Sequence, residues 1–360
     1  MKALVVGGTG FVGMNLTRAL VARGDDVLAT RRKRANTLFA RRLGANLVTA
    51  ELDSEAELTS AMTGRDVVFM CAGHYPRYSL DRAAEVDVAR RRAIASLSAA
   101  RRAGVERLVL VSSAATVGPP RGGRTQSDET DAPDPRSRAG VYHSVKIAIE
   151  EELLNAAAGG PEVVVLCPGA IFGELDVKAG TGFLIVAIAN EKLPFCVEGR
   201  TSVVDADDLA LALIAAAERG RAGERYALGG HNMLVSELVD GIAEVLQIAP
   251  RFQRLPLAVA GFISTLAEMR AAVVPGAPRP FLSRELVDNV RFGRWLDDTK
   301  AHTELGLLPS TPLNETLEKA CRWYARHHYL KGLEHADHLL RSNQERPGHD
   351  HSAHPARRAR

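Results

Sequence analysis

The sequence predicts an α/β protein: a doubly wound parallel sheet followed by a smaller, mostly helical lobe. Three observations carry this. Short apolar runs at residues 3–6, 26–30, 66–72, 106–112 and 162–167 alternate with helical stretches. The runs are nearly continuously apolar, as in Leu108-Val109-Leu110-Val111, which marks strands covered on both faces. The first run, Ala3-Leu4-Val5-Val6, leads directly into Gly7-Gly8-Thr9-Gly10-Phe11-Val12-Gly13, a glycine turn that opens a helix.

The elements follow in order. A helix over 11–23 stops at Gly24. Strand 26–30 leads to a helix near 34–43, and Val48 marks a third strand. Ser54 can cap the next helix ahead of Glu57, as in a capping box. Strand 66–72 precedes a long helix near 81–103, and strand 106–112 precedes a Pro/Gly/Asp-rich loop, 118–138. A helix over 140–157 and strand 162–167 complete the regular part. Ser202–Val204 and a helix over 207–219, capped by Asp207-Asp208, are expected to return to the sheet. The expected division is a dinucleotide-binding domain over 1–173 with a return segment at about 201–230. A substrate lobe takes 174–200 and 231–335, and residues 341–360 form a disordered tail.

Composition narrows the function. The chain has 360 residues, 46% hydrophobic and 25% charged, enough for a large core. Its +3 formal charge resides in the tail, where five arginines face two acids, so residues 1–340 are neutral and no nucleic-acid surface is expected. The cysteines Cys71, Cys167, Cys196 and Cys321 are widely spaced, which reads as reduced thiols in a cytoplasmic protein. No charged leader precedes the first strand, so no signal peptide is expected. The most membrane-like stretch, Leu255–Val274, is interrupted by Glu268 and Arg270 and is short for a span. It reads as a buried or substrate-covering helix, with peripheral membrane contact as the alternative. The histidines and acids of 334–338 and the tail read as a solvated terminus, and no metal is expected.

The glycine turn implies a dinucleotide whose pyrophosphate rests on a helix N-terminus, the Rossmann-type arrangement. Gly7 permits the tight turn, Gly10 lets the backbone approach the phosphates, and Gly13 lets the helix pack on the strand. Further on, Tyr142 and Lys146 are four apart on a helix and share a face. A nearby ammonium favours the phenolate, which would make the tyrosine a usable proton donor or acceptor. Ser113, at the end of strand 106–112, can hydrogen-bond the reacting oxygen. Ser112 and Thr116 read as satisfying loop backbone groups. The second strand runs into Arg31-Arg32-Lys33-Arg34, where an NAD enzyme would carry an acid for the ribose. A guanidinium grips a 2′-phosphate in bidentate fashion, so NADP(H) is favoured over NAD(H), with Arg31 or Arg32 as the phosphate ligand.

Together these motifs, with Ser112-Ser113-Ala114-Ala115-Thr116-Val117 and Pro168-Gly169, resemble the extended short-chain dehydrogenase/reductases, the NAD-dependent epimerase/dehydratase group, over roughly residues 1–330. Within it the chain is most similar to two branches, the dihydroflavonol-reductase-like and hydroxysteroid-dehydrogenase-like reductases and the hopanoid-associated sugar epimerases. The second likeness rests on Gly180–Val186 through Pro194, Glu224–Gly230, and Trp323-Tyr324 to Leu330. The resemblance implies that Ser113, Tyr142 and Lys146 form the catalytic triad. It places Glu51 and Leu52 by the adenine, Ala72 and Gly73 along the cofactor, and Pro168 and Gly169 beside the nicotinamide. It also implies a substrate-facing loop at His74–Tyr78, where Tyr75 or Tyr78 either stacks on a substrate ring or only packs the loop, and a homodimer formed through the helices near 81–103 and 140–157. Where epimerases of nucleotide-sugars commonly carry an Asn-Val-Tyr-Gly-Pro-type sequence, this chain has Cys167-Pro168-Gly169-Ala170-Ile171-Phe172-Gly173. The leading expectation is an NADP(H)-dependent oxidoreductase acting on a carbonyl of a small, lipophilic substrate. The alternatives are an NAD-dependent sugar epimerase using the same three residues, and a non-catalytic dinucleotide sensor.

Overall fold

The computed structural model describes residues 1–76, 79, 81–155, 159–193, 195–249, 252–274, 282–331 and 339. Tyr78, residues 334–338 and the tail 341–360, on which expectations fell, lie outside the described residues.

In chain order the first half runs β1 (Lys2–Val6), α1 (Phe11–Ala22), β2 (Asp26–Arg31), β3 (Asn46–Thr49), α2 (Glu55–Met62), β4 (Val67–Met70), α3 (Arg82–Ala103), β5 (Arg107–Val111), α4 (Val141–Asn155) and β6 (Glu162–Pro168). The second half runs β7 (Ala170–Phe172), α5 (Phe183–Ala189), β8 (Phe195–Val197), β9 (Arg200–Asp205), α6 (Ala206–Arg219), β10 (Arg225–Leu228), β11 (His231–Leu234), α7 (Val235–Leu246), β12 (Gln253–Leu255), α8 (Leu257–Val273), α9 (Arg284–Arg291), α10 (Thr299–Leu305) and α11 (Leu313–Arg326).

The main sheet has seven parallel strands in the order β10-β6-β5-β4-β1-β2-β3. Strand order reverses between β1 and β4, and the crevice beyond their carboxyl ends is where such sheets hold ligands. Alternate residues feed two cores. Ala3, Val5, Phe69, Val109 and Leu166 pack under α1, α6 and α10, while Leu4, Val6, Val68, Leu108 and Val165 pack under α2, α3 and α4. Each fully buried Leu or Val side chain contributes about 1.5–3 kcal/mol, so the apolar runs read from the sequence fix these strands.

The lobe has its own core. Trp323 and Tyr324 of α11 pack with α5 and α7, and Asp176 accepts from the Tyr324 hydroxyl at 2.8 Å and from the amides of Gly180 and Gly182. Two small sheets, β11-β9-β7 and β12-β8, join the segments.

Four expectations need correction. Residues 34–43 form no α-helix; a single 3-10 turn spans Ala40–Leu43. There the Asn36 side chain accepts the Leu38 amide, a local bond that competes with helix formation. Ser202–Val204 lies in β9, which belongs to the small sheet; α6 and β10 are what return, β10 pairing with β6. Asp205, rather than Asp207-Asp208, caps α6 by accepting the Asp207 amide at 2.8 Å, while Asp207 pairs with Arg18 and Lys319. Ser54 caps α2, yet Glu57 accepts the Glu51 amide instead of closing a capping box.

Candidate active site

The glycine turn forms because only glycine fits it. Gly7 has φ +91°, and a Cβ there would lie 2.7 Å from the Ala72 Cβ. Its amide donates to Thr30 Oγ1 at 2.9 Å, tying the end of β1 to the end of β2. A Cβ at Gly13 would lie 2.2 Å from the Gly7 carbonyl oxygen, so α1 approaches the turn more closely than any side chain allows. Gly10 offers α1 no side-chain cap, and a Cβ there would meet only the Gly7 oxygen within 4 Å. The first-turn amides of Phe11, Val12 and Gly13 therefore end a helix beside open space, which suits a dinucleotide pyrophosphate. Thr9 completes this turn.

The basic segment after β2 is positioned from below. Glu51 accepts the Lys33 amide at 2.8 Å, and its own amide donates to Glu57 at 2.9 Å. Arg31 is half-buried and Arg32 exposed, and among the described residues neither has an ion-pair partner. Leu52 packs at the edge of the core under α2. Ala72 follows β4, its amide donating to the Val6 carbonyl at 2.9 Å, and Gly73 comes next. At the end of β6, Pro168 pairs with Leu228 of β10. Gly169 has a reason of its own: a Cβ would lie 2.3 Å from the Ser202 carbonyl oxygen of β9.

Ser113, Tyr142 and Lys146 converge beyond β5. Ser113 Oγ accepts the Ala115 amide at 3.2 Å. Lys146 Nζ donates to the carbonyls of Val111 at 3.2 Å and Ser112 at 3.4 Å, so the ammonium is anchored to the end of β5. Burial lowers the Lys146 pKa, opposed by the charge of Glu150. Burial also raises the Tyr142 pKa; a hydrogen bond with Ser113 opposes the shift, and the negative charge of Glu285 adds to it. This reverses the expectation that the lysine favours the phenolate. Desolvation wins, and the tyrosine stays a phenol at neutral pH.

Behind these residues lies a buried network that sequence reading missed. Ser112 Oγ bonds to Glu150 of α4 rather than to loop backbone. Glu150 Oε1 lies 2.5 Å from Arg225 Nε of β10. Arg225 in turn donates to the Thr116 carbonyl at 2.9 Å, and Thr116 Oγ1 donates to the Ser113 carbonyl at 2.9 Å, the backbone role expected of it. Glu150 stands one helical turn beyond Lys146, a spacing visible in the sequence; its partner is 75 residues further on and was not.

The front of the site is aromatic. Tyr75 packs on Tyr142 with ring centroids 5.1 Å apart, and its hydroxyl donates to Glu285 of α9 at 2.7 Å. His74 holds this loop through Glu85 and through Arg92, which itself pairs with Asp53. His143, buried between Tyr142 and Phe292, has its pKa lowered to about 4 by desolvation and by Arg294. An open cleft of about 420 Å³ adjoins, lined by Pro76, Val141, Arg284, Glu285 and Asp288. Among the described residues no cluster of metal-ligating side chains occurs.

The chain is similar to known proteins in sequence and in fold. A Synechocystis protein provisionally named dihydroflavonol 4-reductase is 29% identical, covering 91% of this chain and 95% of its own. A Stigmatella aurantiaca ketoreductase named for 4-hydroxy-2-methyl-3-oxo-4-farnesyl-3,4-dihydroquinoline-1-oxide is 32% identical, covering 85% of this chain and 91% of its own. The crystal structure of a nucleoside-diphosphate-sugar epimerase from Pseudomonas aeruginosa superposes with a TM-score of 0.75 at 29% identity, covering 92% of this chain and 99% of that one. Residues 3–229, the whole of the sheet and its glycine turn, match the NAD dependent epimerase/dehydratase family, and the chain belongs to that family.

Proposed function

We propose that the protein is an NADP(H)-dependent reductase of a carbonyl on a small lipophilic substrate. The observation that carries this reading is Tyr142 bonded to Ser113 beyond β5, on the sheet whose first strand leads into the glycine turn. NADPH supplies the hydride when bound at that turn. Ser113 Oγ donates a hydrogen bond to the carbonyl oxygen, and Tyr142 hands its phenolic proton to the same oxygen as charge develops there. Lys146, held by the Val111 and Ser112 carbonyls, is the cation that would hold the cofactor ribose. Tyr142 is protonated at neutral pH, as a phenol ordinarily is, and burial raises its pKa further, so it has a proton to give in reduction. Arg31 and Arg32, without carboxylate partners among the described residues, are the cations that would take a 2′-phosphate. Lipophilicity is supported by the relative named for a farnesyl-bearing ketone.

The likeness to a nucleoside-diphosphate-sugar epimerase favours a second reading, in which the same residues move a hydride off and back onto a sugar and retain NAD. The test is direct. NADPH is expected to bind reversibly and more tightly than NADH, and an apolar ketone to be reduced with net loss of NADPH absorbance. Tyr142→Phe should lower turnover by roughly 10²–10⁴-fold with NADPH affinity nearly unchanged. Near-stoichiometric NAD⁺ released from the denatured protein, with no net turnover, would establish the epimerase instead.

A further inference from the structure

Helix α8 turns an apolar face outward. Val259, Phe262, Ile263, Leu266, Met269 and Val273 recur at spacings of three and four, so they lie on one side of the helix, and each is between 37% and 78% exposed. The opposite side is already used. Ala260 and Ser264 are fully buried, and Leu257 packs with Leu286, Val287 and Val290 of α9. Other large exposed apolar side chains, such as Leu38, Ile94, Leu211 and Leu308, stand on separate elements. A contiguous apolar stripe of this kind marks an interaction surface, which isolated apolar side chains do not.

The charges around the stripe indicate what it meets. Arg254, just before the helix, and Arg270, on its flank, are exposed and have no ion-pair partner among the described residues. The helix's acid, Glu268, is half-buried and accepts the Arg284 amide at 2.7 Å. The outward surface of α8 thus combines apolar side chains with cations and carries no exposed acid. No helix among the described residues is long and apolar enough to cross a membrane. The 17 residues of α8 span about 25 Å at 1.5 Å per residue, less than a hydrocarbon core. A second copy would offer the same apolar and cationic face of α8, with no exposed acid on it to meet Arg254 and Arg270.

We propose that this face of α8 is a membrane-docking surface. It lies in the plane of an anionic bilayer, its apolar side chains among the acyl chains and Arg254 and Arg270 against lipid phosphates. The contact would bring the cleft to the bilayer, because α8 packs on α9, whose Glu285 holds Tyr75 over Tyr142. In that sense it rests on the lipophilic substrate proposed above, but docking itself requires no turnover.

The full chain is mixed with sedimenting vesicles of equimolar phosphatidylcholine and phosphatidylglycerol, and the bound fraction is read against lipid concentration. The wild type is expected to co-sediment, and less so with phosphatidylcholine alone. F262D/L266D should weaken binding by about tenfold or more, and R254A/R270A by about fivefold per cation on the anionic vesicles only. All changed positions are solvent-exposed, and circular dichroism with NADPH affinity verifies the fold of each variant. A wild type that stays in the supernatant at millimolar lipid overturns the proposal, as does equal binding by F262D/L266D. So does a dimer, seen by analytical ultracentrifugation, that F262D/L266D dissociates without any vesicle binding. Vesicle binding without ketone reduction would instead defeat only the proposed reaction.

Discussion

The two sides of the cleft are held by different means. On the sheet side the candidate site residues stand at the ends of buried parallel strands or on helices packed against them, and their positions are fixed by strand register, by glycines that leave no room for a Cβ and by the Glu150–Arg225 pair. On the lobe side the contacts to the site, among the described residues, include the Tyr75–Glu285 hydrogen bond, the ring contact of His143 with Phe292 and the hydrogen bond from Arg294 to the Val117 carbonyl. In the proposed reaction the rigid side would set where hydride and proton travel. The other side, built from short helices with an exposed apolar face, is free to differ in what it admits without disturbing that chemistry. Substitutions on the sheet side should therefore cost stability and dinucleotide binding, and those on the lobe side should alter only substrate affinity.

The largest effect is expected at Glu150. Glu150→Gln leaves the Arg225 guanidinium buried without its counter-charge, and losing one partner of a buried pair costs about 3–5 kcal/mol. Urea unfolding monitored by circular dichroism measures it. The variant also removes the charge that favours the Lys146 ammonium, so the pH profile of turnover should move with it, which simple loss of packing would not cause. A loss below about 1 kcal/mol would mean that the strands alone hold the site.

His143 sits where the two sides meet and gives a pH-dependent reading of that contact. Its folded pKa of about 4 lies below the ordinary 6.5, so its contribution to stability is complete above pH 6.5 and is lost as pH falls toward 4. The shift corresponds to about 3 kcal/mol. His143→Gln should therefore lose about that much less stability than the wild type between neutral pH and pH 4, compared by urea unfolding at each pH. Equal losses would show that the ring titrates freely and that the two sides separate in acid.

The same contrast governs what was legible in the sequence. The strands under the cofactor were readable because continuous apolar runs have one stable solution, a doubly covered parallel sheet, and the glycine turn named its ligand class. That Ser113, Tyr142 and Lys146 would lie together beyond β5 was readable from helix spacing and strand ends. What escaped is long-range or polar. The sheet β11-β9-β7 joins three-to-six-residue strands that carry no local pattern. The partners Arg225 and Glu285 lie far along the chain from Glu150 and Tyr75. The helix expected over 34–43 failed because one asparagine side chain offered the backbone a competing bond. The direction of the Tyr142 shift followed from burial, which spacing does not reveal. Leu255–Val274 was expected to be buried or to cover substrate, yet α8 buries one side and exposes the other.

A smaller effect is expected at Gly13. The added methyl of Gly13→Ala would lie 2.2 Å from the Gly7 oxygen, so α1 must shift away from the turn. Overpacking of this kind costs about 1–3 kcal/mol, and NADPH affinity should fall with it, as read by fluorescence titration. Unchanged affinity would mean that the close approach of helix and strand serves packing alone.

The smallest effect belongs to the lobe side. Tyr75→Phe removes only the hydroxyl bonded to Glu285 and keeps the ring on Tyr142. The hydrogen bond is half exposed and worth about 1 kcal/mol or less, so KM should rise up to about fivefold with kcat nearly constant. That split is what a residue shaping entry to the cleft produces. A fall in kcat beyond about tenfold, with KM unchanged, would place the hydroxyl in the transition state, because only interactions made there and not in the ground state lower kcat selectively. The division between a side that reacts and a side that admits would then fail at Tyr75, the residue that touches both.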